Sequence, residues 1–259
     1  MERLHIALHM PNIHELLESG SQRLLNAGCD ADRAGEICIC SHTLPPGCPG
    51  VSLQDSFVIA ADRDLNISTA ALLHHFRDEA DRLQESQKTG VLAVLQIARA
   101  FVATGKQPER NVIFAFWDGE EKGLLGSKYF VQTCPFISRI KGYLNFDMIG
   151  RNNKPQQPEH VVYFYTAAHP VFGDWLKEDI KKYGLRLSPD YRAWDNPVGG
   201  SDNSSFAKAG IPIIWYHTDG HPDYHQPSDH ADRLNWDKIV EITKASFLNM
   251  WKMANEREF

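Results

Sequence analysis

Asn111-Val112-Ile113-Phe114-Ala115-Phe116-Trp117-Asp118-Gly119-Glu120-Glu121-Lys122-Gly123-Leu124-Leu125-Gly126-Ser127 is the stretch that decides the fold. Its first part is short, apolar and rich in β-branched and aromatic residues, which reads as a buried strand. Two adjacent carboxylates, Glu120 and Glu121, follow directly. Charges packed against a core strand are costly unless they face water or a cation. In open α/β sheets the carboxyl edge is also where ligands bind. A plainer reading stands beside this one: Glu-Glu-Lys is a common first turn of a solvated helix.

Outward from this stretch, strands and helices alternate. The spacing predicts a helix from Leu124 to about Gln132. It predicts strands at Gly142–Asp147, Val161–Tyr165 and Ile211–Tyr216. Val171, Phe172, Trp175, Leu176 and Ile180 are spaced for one face of a helix near 170–183. Trp236 to about Asn255 reads as a long terminal helix. Upstream, Thr89 is placed to N-cap a helix from Gly90 to Val102. The expected class is α/β: a three-layer α/β/α domain with a mixed, mainly parallel central sheet. Residues 1–85 differ, being rich in His, Cys and Arg. There only Phe57–Ala61 looks like a core strand, and residues 69–88 read as a helix with a mixed surface.

Composition limits the function classes. The chain has 259 residues, 42% hydrophobic and 23% charged, enough for one α/β domain with a substantial core. A net charge of −6 argues against nucleic acid or anionic membrane as a partner. No apolar run approaches the ~20 residues of a membrane span. Met1-Glu2-Arg3-Leu4-His5-Ile6 lacks the basic-then-apolar design of a signal peptide, so either the chain is not exported or its start is not the natural one. Four of the five cysteines, Cys29, Cys38, Cys40 and Cys48, lie in the first fifth. Their spacing is no CxxC…CxxC pair. Unpaired thiols or one incidental disulfide fit better than a zinc knuckle including His42.

Three separate strand ends carry chemistry: Glu120-Glu121, Asp147 in Asn145-Phe146-Asp147-Met148-Ile149-Gly150, and His225 in Asp223-Tyr224-His225. Singly, a strand-end Asp is a turn or cap residue and a loop His is ordinarily a surface His. Together, at the carboxyl ends of parallel strands, they converge on one rim. Glu, Asp and His are oxygen and nitrogen ligands of the kind zinc takes. The chain has no HExxH, no Gly-x-Ser-x-Gly elbow and no P-loop.

These residues resemble the M28 metallopeptidases, the co-catalytic zinc aminopeptidases and their relatives. The resemblance runs through Phe116–Glu121, Gly123, Gly126-Ser127 and Asn145–Gly150. It continues through Ser201-Asp202, Phe206, Gly210–Pro212, Asp223–His225 and Asp229. It covers roughly residues 86–259, an M28-like domain of the zinc-exopeptidase type, and leaves 1–85 as an unassigned N-terminal segment. The resemblance implies that Glu120 is the general base, that Glu121 and His225 hold one zinc, and that Asp147 holds the other. Asp229 and Asp202 stand behind the ligands as supporting carboxylates. It implies a peptide or aminoacyl substrate and two zincs per site. Relatives in the family are usually exported. Trp117, Tyr216 and Tyr224 either line a substrate pocket or pack in the core.

Two upstream elements of the family pattern are missing. Asp62-Arg63-Asp64 stands where a His-x-Asp is expected, and Glu85 falls near the position of the Asp that bridges both metals. Asn203 follows Asp202 where the family usually has His. Asp62, Asp64 and Glu85 are the candidate substitutes, and His74 and His75 are poorer ones. Without replacement, one metal keeps two ligands and the other one, against the three or four that zinc normally takes. Residues 1–85 are either a divergent element that completes the fold or a stretch read from a shifted frame or artificial joint. The expected function is zinc-dependent peptide hydrolysis of the aminopeptidase type, slowed by weak metal binding, with one zinc or none retained. The alternatives are a non-catalytic peptidase fold with a broken metal site, and a glutaminyl-cyclase-like acyltransferase on one zinc. The oligomeric state stays open.

Overall fold

The computed structural model describes residues 36–42, 57–60, 85–117, 119–195 and 200–259, with side chains from Thr89 onward. The strands are β1 (Glu36–His42), β2 (Phe57–Ala60), β3 (Asn111–Trp117), β4 (Ile140–Phe146), β5 (His160–Thr166), β6 (Ser188–Trp194) and β7 (Ile213–His217). The helices are α1 (Glu85–Ala103), α2 (Leu125–Thr133), α3 (Val171–Tyr183), α4 (Asn203–Lys208) and α5 (Trp236–Asn255).

The strands form one sheet in the order β2-β3-β1-β4-β7-β5-β6. β3, β1, β4 and β7 run parallel to one another, and β5 and β6 are parallel to each other but antiparallel to β7. β2 pairs antiparallel with β3. The mixed, mainly parallel sheet expected from sequence is therefore present. Because β3, β4 and β7 share a direction, the loops after all three open on one rim.

Strand alternation sends successive side chains to opposite faces, so each strand feeds two cores. Val112, Phe114, Phe116, Leu144, Phe146, Tyr163 and Tyr216 pack with α1, α3 and α5. Ile113, Ala115, Trp117, Tyr143, Val162 and Trp215 pack on the other face with Phe206 of α4 and Phe130 of α2. Three layers result. α5 lies on the first face because Ile239, Ile242, Ala245, Met250 and Met253 form its apolar stripe, all nearly fully buried. Asn235 caps it, accepting the Lys238 N–H at 3.1 Å.

Four points of the sequence reading need correction. Strand β1 was not foreseen, yet it lies between β3 and β4, hydrogen-bonded to both. Cys38 and Cys40 suggest thiol chemistry, but with Ile37 and Ile39 they make the near-continuous apolar run of a central parallel strand. Phe57–Ala60 is a strand as expected, but it lies at the sheet edge. α1 starts at Glu85, so Thr89 is no cap; it is fully buried inside the helix. β6 was also missed. Pro189, Asp190 and Arg192 are edge-strand residues, and four of its seven residues are exposed. The helix expected at 69–88 lies outside the described residues before Glu85.

Candidate active site

The first part of the site is the turn after β3. Gly119 has φ of 65°, and a Cβ added there would lie 3.1 Å from the Leu125 Cβ. Only glycine suits that left-handed, crowded position. The turn closes through Gly123 N–H and Leu124 N–H, both donating to the Glu120 carbonyl at 2.9 Å, and Leu125 N–H donating to the Gly119 carbonyl at 3.1 Å. α2 begins only at Leu125. Glu120 and Glu121 therefore sit in a rigid turn at the sheet rim, and the plainer reading of a helical first turn does not hold.

The second part follows β4. Asp147 is 8% exposed, and its N–H donates to the Tyr216 carbonyl on β7. Met148 has a φ of 57°, unusual for a non-glycine residue. Its carbonyl accepts from both Thr218 N–H at 3.1 Å and Thr218 Oγ1 at 2.6 Å. Beneath, Asn145 Nδ2 donates to Ser201 Oγ at 2.9 Å, and Ser127 Oγ meets Ser205 Oγ at 2.9 Å. These bonds fix the buried run Ser201–Phe206, including the fully buried Asp202, against β4 and α2.

The third part is the loop after β7. His225 lies here, with φ of 56°. Its Nε2 is 3.2 Å from Glu121 Oε1. The ring of Tyr224 stands edge-on to the imidazole, centroids 3.9 Å apart. Burial pushes the Tyr224 phenol up to about 12, and the negative charges of Glu121, Asp147 and Glu120 add to the shift. The phenol thus shares one acidic neighbourhood with all three carboxylates. Trp117 and Tyr216 are completely buried and belong to the core, so of the three aromatic candidates only Tyr224 is exposed at the rim.

The rim thus brings Glu121 and His225 into contact, with Glu120 and Asp147 beside Tyr224. Asp229 is buried and ion-paired with Arg151, a residue the sequence reading did not single out. Glu85 is the first residue of α1. Asp62, Asp64, His74 and His75 lie outside the described residues. β1 register places the His42 backbone opposite Trp117, at the same rim. The Glu121–His225 pair has the oxygen and nitrogen donors that a zinc ion takes. Among the described residues, no group of three or more His, Cys, Asp or Glu is close enough to hold a metal ion.

The sequence profile of Peptidase family M28 matches residues 88–249, more than half the chain. The chain belongs to peptidase family M28. Leupeptin-inactivating enzyme 1 of Streptomyces exfoliatus is 36% identical over 127 residues, 48% of this chain and 26% of the relative. Leucine aminopeptidase 2 of Trichophyton equinum is 30% identical over 129 residues, 48% of this chain and 25% of the relative. This M28 chain thus aligns with only about a quarter of these relatives' length. In fold it is similar to the Legionella pneumophila LapA aminopeptidase, with TM-score 0.63 and 21% identity, covering 94% of this chain and 64% of that one. It is also similar to the zinc aminopeptidase BSAP of Bacillus subtilis, with TM-score 0.58 and 16% identity, covering 87% and 48%.

Proposed function

We propose that this chain hydrolyses peptide bonds as a zinc-dependent exopeptidase of the aminopeptidase type. The observation that carries the proposal is the 3.2 Å approach of His225 Nε2 to Glu121 Oε1 at the rim, beside Glu120 and Asp147. Glu121 and His225 would hold one zinc and Asp147 a second. Bound there, zinc supplies a lowered water pKa, toward ~7, and polarises the scissile carbonyl.

The rest is done by this chain's own residues. The Glu120 carboxylate accepts a proton from the attacking water as the new C–O bond forms at the carbonyl carbon. It then passes that proton to the departing nitrogen as the C–N bond breaks. Tyr224, edge-on to His225, carries a phenol that is neutral at working pH and can donate a hydrogen bond at the mouth of the site. The rigid turn at Gly119 holds Glu120 still while it does this, and proximity of this kind accounts for a large part of enzymic rate.

The expectation of slow turnover rests on the sequence, in which Asp62 and Glu85 stand where the family pattern has a metal-binding His and a bridging Asp. The alternative is a peptidase fold that binds peptide without cutting it. An aminoacyl chromogenic amide and an N-terminal glutaminyl peptide, each with and without added zinc, separate the readings. Slow amide hydrolysis that needs zinc, and falls by about 10²–10⁴-fold in Glu120→Gln, is expected. Turnover of the glutaminyl peptide alone would replace the peptidase reading with cyclase chemistry. Zinc retained through dialysis with no turnover of either substrate would leave the binding protein.

A further inference from the structure

Arg151 lies four residues beyond Asp147 and is 8% exposed. Its guanidinium forks to two aspartates, with Nη2 donating to Asp223 Oδ2 and Nη1 donating to Asp229 Oδ1. Those aspartates bracket His225, two residues before it and four after it. Asp223 also accepts Arg233 Nη1 at 2.8 and 2.9 Å and Ser228 Oγ at 2.6 Å. The base of the fork is anchored too. The Arg151 carbonyl accepts Lys238 Nζ at 2.9 Å, and the Gly150 carbonyl accepts the Asn235 N–H at 2.8 Å.

His225 itself adopts a left-handed backbone conformation, φ 56°. A non-glycine residue there is strained and persists only where its surroundings over-determine it. The two Arg151 ion pairs supply that constraint from both sides of the residue. As a stability device the cluster is a poor choice, since buried ion pairs roughly break even against apolar packing. As a geometric device it is well suited. A planar guanidinium holds two carboxylates in a fixed relative geometry, which the freely rotating ammonium of a lysine does not. It also couples the loop after β4, which carries Asp147, to the loop after β7, which carries His225.

We propose that Arg151 is a positioning residue for His225: it locks the loop on which the imidazole meets Glu121, and so sets the strength of the metal subsite they form. This rests on the metal reading given above, and the experiment keeps the two apart.

Arg151→Lys keeps a positive charge but loses the fork. Cobalt(II) titration, followed by its visible absorption and by competition with a chelator, reads the affinity and coordination of the subsite. Arg151→Lys is expected to weaken cobalt binding by about 10–100-fold, the usual consequence of losing a partner that orients a ligand, and to alter the absorption bands. In a His225→Ala background the same change should shift affinity by less than ~2-fold, because nothing remains to be positioned. Unchanged affinity and spectrum in Arg151→Lys would overturn the proposal. So would a weakening that persists in full without His225, since that is what a merely structural role produces. If Arg151→Lys does not fold, the charge-free variant Arg151→Met with Asp223→Asn and Asp229→Asn replaces it, with the same outcomes. If the unaltered protein takes up no cobalt, the metal reading fails by itself. The His225 imidazole NMR resonances of the metal-free protein then decide: they move in Arg151→Lys if Arg151 positions the ring, and unmoved resonances overturn it.

Discussion

Lys238 offers a quantitative test of how the site is supported. It is 2% exposed on the first turn of α5, and its Nζ donates to the carbonyls of Arg151 at 2.9 Å and His160 at 3.1 Å. Burial alone lowers its pKa from 10.5 to about 8. Folding therefore disfavours the charged form. Between pH 8 and 10.5 the unfolded chain holds more protons than the folded one, so this group's contribution to stability rises with pH, is complete above 10.5 and is lost as pH falls through 8. A shift of this size corresponds to about 3 kcal/mol, of which about 2–3 kcal/mol would appear between pH 7.5 and 10. Lys238→Met removes the titration but leaves two carbonyls without a donor, a loss of about 1–3 kcal/mol each. The two effects offset near pH 7.5, so the variant should have similar stability there. At pH 10 it should be the less stable by about 2–3 kcal/mol more than at pH 7.5. Urea unfolding of both proteins across this range gives the difference directly, since other titrating groups cancel. A difference that does not change with pH would mean that Lys238 is not desolvated.

Two further perturbations probe the same region. A Cβ at Gly150 would lie 2.5 Å from Thr89 Cγ2 and 2.7 Å from Leu234 Cδ2. Gly150→Ala should cost about 1–3 kcal/mol by overpacking, read as a lower urea midpoint; an unchanged midpoint would mean α1 is not seated against the Asp147 loop. His221 is buried, and desolvation followed by the Arg151 charge lowers its pKa below 6.5, while hydrogen bonds from Ser228 and Arg151 hold Asp223 well below 3.8. Both shifts stabilise the fold above the ordinary values and lose that effect as pH falls through the folded ones. The thermal midpoint should drop first below about pH 6.5 and again below about pH 4. His221→Gln should remove the first drop and Asp223→Asn the second.

The parts of the fold legible in sequence were those in which one residue pattern has one structural meaning. Val112–Trp117 is an unbroken apolar run because both faces of the strand are covered. Trp236–Asn255 repeats its apolar residues at helical spacing because one face meets the sheet. The convergence of Glu121 and His225 was legible because both follow strands that run the same way. β1 was hidden because its cysteines can mean thiol chemistry or small apolar packing, and the neighbours that decide between them, β3 and β4, lie about 70 or more residues downstream. Arg151 was hidden for a similar reason. A single arginine after a glycine carries no local signal, and its meaning depends on aspartates 72 and 78 residues away.

The place of β1 has a consequence for distance within the site. Neighbouring strands lie ~4.8 Å apart, so a strand inserted between β3 and β4 keeps them ~10 Å from each other. The carboxylates after β3 and the aspartate after β4 are thus held two lattice steps apart by a segment that carries none of them. β1 works as a ruler. If it were cut away at residue 86, β3 and β4 would either stay unpaired along their inner edges or close up by one step, and the turns that carry Glu121 and Asp147 would lose their fixed separation.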